Sequence, residues 1–399
     1  MPNRFRKRVL LPLLGIAAVL SAAAAPARAQ GQGAFPITVI LPLTGNASFV
    51  GQGMQQTLRA VQASVNKDGG IRGQPIEFVF RDDQTSPQLA VQLTTAALAQ
   101  HPPVVLGSGL VAMCNAMAPL VRNGPFLYCL SPAAQPPAGS FMFSTDTSTH
   151  DLLQADFRYF RGKGWNRIAL ISSTDATGQD FQAGVAAVMK LPENAGLKIV
   201  ENARFNQGDT SVAAQMERIK AADPQVVVTW TTGGPVATVF KGIVQAGITV
   251  PIVTTNGNQT FAQMDQYADF LPKELIIATS LFVPHPGHSY DPRIEAAQAN
   301  FYATMKANDV PVDVMAAHAW DPGMMVVAAL RQLGTNAAPA QIRDYLAGLT
   351  DYAGINGVYD FKTVPQRGLD VSSAVVTRWS PADRQWTVVS APAGAPLQP

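Results

Sequence analysis

Leu41 to Asp83 reads LPLTGNASFVGQGMQQTLRAVQASVNKDGGIRGQPIEFVFRDD. The apolar run from Ile37 to Leu43 leads into it and predicts a strand. A small polar loop, Thr44 to Gly53, comes next. A helix follows, with Met54, Leu58, Val61 and Val65 on one stripe. The turn Lys67-Asp68-Gly69-Gly70 delivers the chain to a second strand from Pro75 to Phe80. The loop stands at the carboxyl end of its strand, where open α/β sheets place their ligands. It carries no nucleophile paired with a base, so it reads as a surface for holding rather than cutting.

The same alternation continues along the chain. Apolar, β-branched runs predict strands at Val104–Leu106, Phe126–Leu130, Ile168–Ile171, Val226–Trp230, Pro251–Thr254 and Leu275–Ala278. Helix patterns lie between them. One starts after Ser86, with Pro87 at its first position and Leu89, Leu93, Ala96 and Ala97 inward. Continuous apolar strands separated by helices imply parallel sheets covered on both faces, an α/β fold. Such a chain closes either as one eight-fold barrel or as two doubly wound parallel-sheet lobes. Irregular polar connections near Thr145–Asp151 and Thr279–Pro292, and a helix-free stretch from Gly354 to Trp386, favour two lobes. So does length, since a mature chain of about 370 residues exceeds one ordinary core.

The LPLTG strand end, FVGQG, NKDGGIRGQPIEF and RDDQTSPQLA together resemble the branched-chain amino-acid class of periplasmic binding proteins that serve ABC importers. The similarity runs from about Pro36 to about Trp379. It implies the type I periplasmic-binding fold, two lobes joined by three hinge crossovers. It places residues 36–147 and 282–348 in an N-terminal lobe, and 148–281 and 349–390 in a C-terminal lobe. The tail from Ala391 to Pro399, rich in Pro, Gly and Ala, is expected to be disordered.

The first 29 residues read as a secretory signal peptide, with Arg4, Arg6, Lys7 and Arg8, an apolar run from Val9 to Ala25, and cleavage after Ala29 in Ala27-Arg28-Ala29. Pro12 and Gly15 break the run, and its 17 residues fall short of the roughly 20 a membrane-spanning helix needs. The mature protein is therefore expected in the periplasm. The formal charge of +2 becomes −3 once the leader's five basic residues, unaccompanied by any acid, are removed. That balance, with no basic patch interleaved with aromatics, argues against nucleic acid as a partner. An oxidising compartment permits Cys114 and Cys129 to bond, and two buried free thiols are the alternative, since geometry decides.

No catalytic constellation emerges. Ser172-Ser173-Thr174-Asp175 lacks the Gly-x-Ser-x-Gly elbow. Thr44-Gly45 and Gly107-Ser108-Gly109 are neither phosphate-binding nor dinucleotide motifs. His150-Asp151 reads as a helix start after Thr149. His285-Pro286-Gly287-His288 with Asp291 offers no third ligand at a recognisable spacing, so no metal is expected, and no cofactor. A secreted α/β enzyme is thus the weaker alternative.

The resemblance also implies a ligand site at the strand-end loops. In the family, the first lobe holds a carboxylate with a Ser, backbone amides and a small hydroxyl residue, and the second lobe supplies an acid for the ammonium. On this chain those positions are Phe49 and Val50; Val111 and Ala112, where a Ser is expected; and Ser131, Ala133, Ala134 and Gln135, with Gln in place of Thr. In the second half they are Thr177, Trp230, Thr232 and Asn256. Ala133 is expected to act through its backbone, and Met113 is a further candidate wall. Asn256 stands where amino-acid binders carry an acid. A buried ammonium without a paired charge costs several kcal/mol, so Asn suits a ligand that lacks one. The alternative is that Asp175, Asp180 or Asp265 reaches the ligand. The expected function is a monomeric solute-binding component of an ABC importer. It would take an aromatic or other non-amino organic acid, or else a branched-chain amino acid, to an inner-membrane permease. A ligand-sensing regulator on the same fold is the other reading.

Overall fold

A computed structural model describes residues 1–2, 33–285 and 290–397. The leader, its cleavage point and His288 lie outside the described residues. The first lobe is built on β1 (Phe35–Leu41), β2 (Ile76–Asp82), β3 (Val104–Gly107), β4 (Phe126–Cys129) and β5 (Met142–Ser144). These form an all-parallel sheet in the order 2-1-3-4-5. Between them run α1 (Ser48–Lys67), α2 (Pro87–Leu98) and α3 (Val111–Met117). Alternate residues of β1 feed opposite faces: Ile37, Val39 and Leu41 join one core and Ile40 the other. Burial on both faces is why the strand reads as an unbroken apolar run.

The chain then passes to a second sheet through α4 (Thr149–Lys163), whose start Ser148 caps by accepting from the Asp151 N–H at 3.1 Å. There follow β6 (Arg167–Ser173), α5 (Ala176–Val188), β7 (Lys198–Phe205), α6 (Ala213–Ala221) and β8 (Val226–Trp230). Next come α7 (Pro235–Gln245), β9 (Ile252–Thr254), α8 (Phe261–Gln266) and β10 (Leu275–Ser280). The parallel part has the order 7-6-8-9-10, the same winding as the first sheet. Both sheets therefore reverse their strand order beside their first strand, β1 or β6, and both put a crevice there. The barrel alternative is excluded by these two separate sheets.

The remaining helices return to the first lobe. They are α9 (Pro292–Ala307), α10 (Val314–Leu333) and α11 (Pro339–Ala347). α10 lies against α1, where Gly53 faces Met315 and Gly323 faces Leu58 without room for a Cβ at normal contact. A short ribbon of β11 (Tyr352–Ala353) and β12 (Val358–Tyr359) comes next. The return to the second sheet does not come at 349, as expected. Tyr359, Phe361 and Leu369 still pack in the first lobe's core, and the Phe361 ring lies 5.3 Å from that of Phe143. Only β13 (Ala374–Ser380) and β14 (Gln385–Val388) join the second sheet, as an antiparallel extension.

Asp321 of α10 holds the β11–β12 ribbon that precedes this third crossover. It accepts from the N–H groups of Ile355 at 3.0 Å and Asn356 at 3.1 Å, and from the Tyr359 hydroxyl at 2.8 Å. The expected disorder of the tail is corrected through residue 397: Ala391 pairs with Ala395, and Gly394 packs where a Cβ would strike the Ala155 carbonyl. Composition misled here, because the small residues are what permit that approach. Cys114 and Cys129 are bonded, with Cα atoms 5.9 Å apart, linking the start of α3 to the end of β4. Among the described residues, no helix is long and apolar enough to cross a membrane.

Candidate functional site

The strand ends of both sheets converge on one cleft. From the first lobe come Val50 at the start of α1, Gly109 to Val111 before and into α3, and Ser131 to Ala133 after β4. The second lobe contributes Thr149 of α4, Thr177 of α5, Trp230 and Thr232 at the end of β8, and Thr255 to Gly257 after β9. Met315 and His318 of α10 complete the wall.

Two glycines make the geometry possible. A Cβ on Gly51 would lie 2.3 Å from the Pro42 carbonyl, and one on Gly178 would lie 1.7 Å from that of Ser173. In each lobe the first helix therefore rides directly on the end of its strand. That proximity brings Val50 and Thr177 to opposite sides of the same space.

Four of the helix starts differ in their caps. α1 and α3 have no side-chain cap at their N-termini. α4 and α5 are closed by their own Ser148 and Asp175. Unsatisfied first-turn N–H groups, with the helix dipole behind them, attract an anion. At α1 the Ser48 and Val50 N–H groups already donate to the Gly45 and Ala47 carbonyls, so the open first turn at the cleft is that of α3.

The lobes stand closed. The Gly234 N–H donates to the Asn46 carbonyl at 3.3 Å, and the Gln135 amide donates to Asp180 at 3.3 Å. Trp230 is fully sunk, stacked on Phe181 with centroids 4.9 Å apart. The cavity left between the lobes measures about 30 Å³, far below the roughly 300 Å³ at which ligand pockets begin. Entry of even a small molecule requires the lobes to part.

Of the expected site residues, the cavity gathers Val50, Val111, Ser131, Ala133, Thr177, Trp230, Thr232 and Asn256. Four others lie off it. Phe49 turns to a separate recess beside Gln52 and Phe261. Ala112 sits one residue past the lining on α3 and packs towards the core behind that helix. Ala134 is buried in that core, and its carbonyl accepts from Arg367 at 2.6 Å. Gln135 is engaged with Asp180. Met113 is core, 2% exposed. The alternative acids are occupied elsewhere: Asp175 caps α5, Asp180 holds Gln135, and Asp265 pairs with Arg384 at 2.6 Å on the surface. Near the lobe rim, Asp291 is paired with Arg293.

The sequence reading missed His318, Asp146 and Arg367. His318 Nε2 lies 2.9 Å from the buried Asp146 carboxylate and 3.3 Å from the Asn256 amide nitrogen. Only the Asn256 contact is aligned as a hydrogen bond, with the amide nitrogen donating to the ring nitrogen; the Asp146 Oδ2 atom is near but has no hydrogen-bond partner. His318 Nδ1 is buried with no hydrogen-bond partner. Pro322 explains how this helix residue reaches the hinge. Lacking an N–H, Pro322 leaves the carbonyl four residues back unbonded. That carbonyl, of His318, accepts the Thr145 hydroxyl at 3.0 Å. A proline inside a helical pattern, four residues after a histidine, was the available signal. Arg367 is buried and donates to the carbonyls of Thr145 at 3.1 Å, Asp146 at 3.0 Å and Ala134. It ties the first crossover to the Ser131 loop.

A family model described as periplasmic binding protein matches residues 35–383. A Leu/Ile/Val-binding protein of Rhizobium johnstonii is 26% identical over 204 residues, which is 48% of this chain and 53% of that protein. The match thus spans about half the length of that relative. An extracellular ligand-binding receptor from Rhodopseudomonas palustris has a similar fold, with a TM-score of 0.79 and 20% identity over 90% of this chain and all of that one. So has an ABC-transporter solute-binding protein of R. palustris solved with benzoate, with a TM-score of 0.74 and 17% identity over 92% of this chain and 98% of that one.

Proposed function

The chain belongs to the periplasmic binding protein family, and from that premise we propose that it is the extracytoplasmic solute-binding component of an ABC importer. It closes over a small organic acid without altering it and hands it to an inner-membrane permease. The leader directs it to the periplasm and is cleaved after Ala29. The lobes, near 36–147 with 282–369 and 148–281 with the residues from β13 onward, rotate about the three crossovers as one monomer.

One observation carries the ligand class: among the described residues, no Asp, Glu, Lys or Arg lines the interlobe cavity. Its polar groups are hydroxyls, the Asn256 amide and the His318 imidazole. An α-ammonium would find no carboxylate there and would be left unpaired at a cost of several kcal/mol. A carboxylate would meet the open N-terminus of α3 and the Ser131 loop. The apolar remainder of the guest rests on Val50, Val111, Met315 and Trp230. Asn256 and His318 sort ligands at the far end. A non-amino acid, aromatic in the first instance, suits this lining. A branched-chain amino acid is the second reading, favoured by the name of the Rhizobium relative.

Thermal-shift measurements separate the two, because a ligand that binds only the folded form raises the melting temperature. Benzoate or a keto acid is expected to give the largest shift. A shift with leucine or valine alone would overturn the ligand class. Asn256→Asp is expected to weaken simple carboxylates by about tenfold through like-charge repulsion, and unchanged affinity would remove Asn256 from the site.

A further inference from the structure

A second, larger cavity shares its partition with the interlobe site. The turn that bears Asn256 continues to Gln259, and the start of α10 that bears Met315 and His318 begins at Asp313. Gln259 and Asp313 face this other space, which measures about 290 Å³. Its walls are mostly apolar and include the rings of Phe261, Phe282, Tyr302 and Trp386. They come from α8, the second crossover, α9 and β14.

The lining offers one unpartnered donor, the buried Trp386 indole N–H, but its charge is of one sign only. Among the described residues, no Lys, Arg or His lines the cavity, whereas a carboxylate, Asp313, does. Gln259 is fully buried, its amide nitrogen donates to the Thr377 hydroxyl at 3.3 Å, and its Oε1 has no partner. A buried acceptor without a donor is costly, and a ligand that supplies the donor recovers that cost. Ring faces attract cations as well. We propose that this cavity binds a small organic ammonium ion carrying one apolar group, of about the size of benzylammonium. The ammonium donates to Gln259 Oε1, its charge lies near Asp313, and its apolar body rests on the four rings. The site is separate from the interlobe cleft and does not depend on what that cleft binds.

The test is calorimetric titration of the full chain with benzylammonium chloride, and with benzyl alcohol as the uncharged counterpart. Benzylammonium is expected to saturate one site, with the alcohol at least about tenfold weaker for want of the charge. Asp313→Asn keeps a residue able to cap α10 and is expected to lose about tenfold in benzylammonium affinity. Val312→Phe, which fills the cavity without touching its polar groups, is expected to abolish binding. Circular dichroism establishes that both variants are folded. Equal affinity for the alcohol, or full benzylammonium affinity in folded Val312→Phe, overturns the proposal.

Discussion

Arg367 shows how much one side chain can organise. Its guanidinium spans three carbonyls from two segments, and it is 5% exposed. Burial lowers its pKa from the usual arginine value, and nearby Asp151, Asp180 and Asp146 oppose that shift. Replacing it with Met leaves three buried acceptors unpaired and uncovers a carboxylate-rich hinge. We expect Arg367→Met to cost about 3–5 kcal/mol of stability and to weaken ligand binding by loosening the Ser131 loop. Lys keeps the charge but lacks the planar fork, so Arg367→Lys is expected to rescue little of either in denaturant titration and calorimetry. Recovery of full stability with Lys would show that charge alone matters. Nothing local in the sequence marks Arg367, which lies more than 220 residues from the segment it holds. Asp146 and His318 were hidden for the same reason, whereas Asn256 was visible because it follows its own strand by two residues.

The elements that were legible are those whose two faces are both buried. β8 and β10 are buried throughout, and their apolar runs announced them. β7 was missed because it is an edge strand whose Lys198, Glu201 and Asn202 mix with apolar residues. β5 was missed because three residues are too few to show a period. The strand–helix junctions were half legible: the glycines at 51 and 178 stand out, but only packing shows what they avoid. Gly178→Ala would drive its methyl into the Ser173 carbonyl, and the start of α5 must shift outward. Overpacking of this kind typically costs about 1–3 kcal/mol. We expect a lower melting temperature and weaker ligand binding together, since Thr177 moves with the helix. A folded Gly178→Ala variant with unchanged binding would detach the start of α5 from the site.

Across the whole molecule, buried acids outside the site set the response to pH. Burial pushes the carboxyls of Asp313 and Asp321 up to about 6. A carboxyl raised by folding holds its proton more tightly in the folded state, so its stabilisation is present at low pH. It is lost as pH rises from the ordinary value of 3.8 towards about 6. His150 is raised too, by its hydrogen bond to Asp151, and its stabilisation fades as pH climbs past the usual histidine range. The two effects have the same sign. Asp291, held at about 2 by Arg293, acts only in stronger acid and in the opposite sense. Scanning calorimetry is therefore expected to find a melting temperature several degrees higher near pH 5 than near pH 8. A melting temperature that rises steadily over that interval would contradict the assignment of these acids.

The first lobe is stitched together from both ends of the chain. Its sheet is complete by Ser144, yet one face has only α1 upon it until the helices that begin at Pro292, and the clamp on its loop waits for Arg367. A chain emerging from the ribosome thus carries a finished row of strands with one side only partly covered for most of its synthesis. Contacts so distant in sequence form late and slowly. A fragment ending before residue 367 lacks the guanidinium that joins the first crossover to the Ser131 loop.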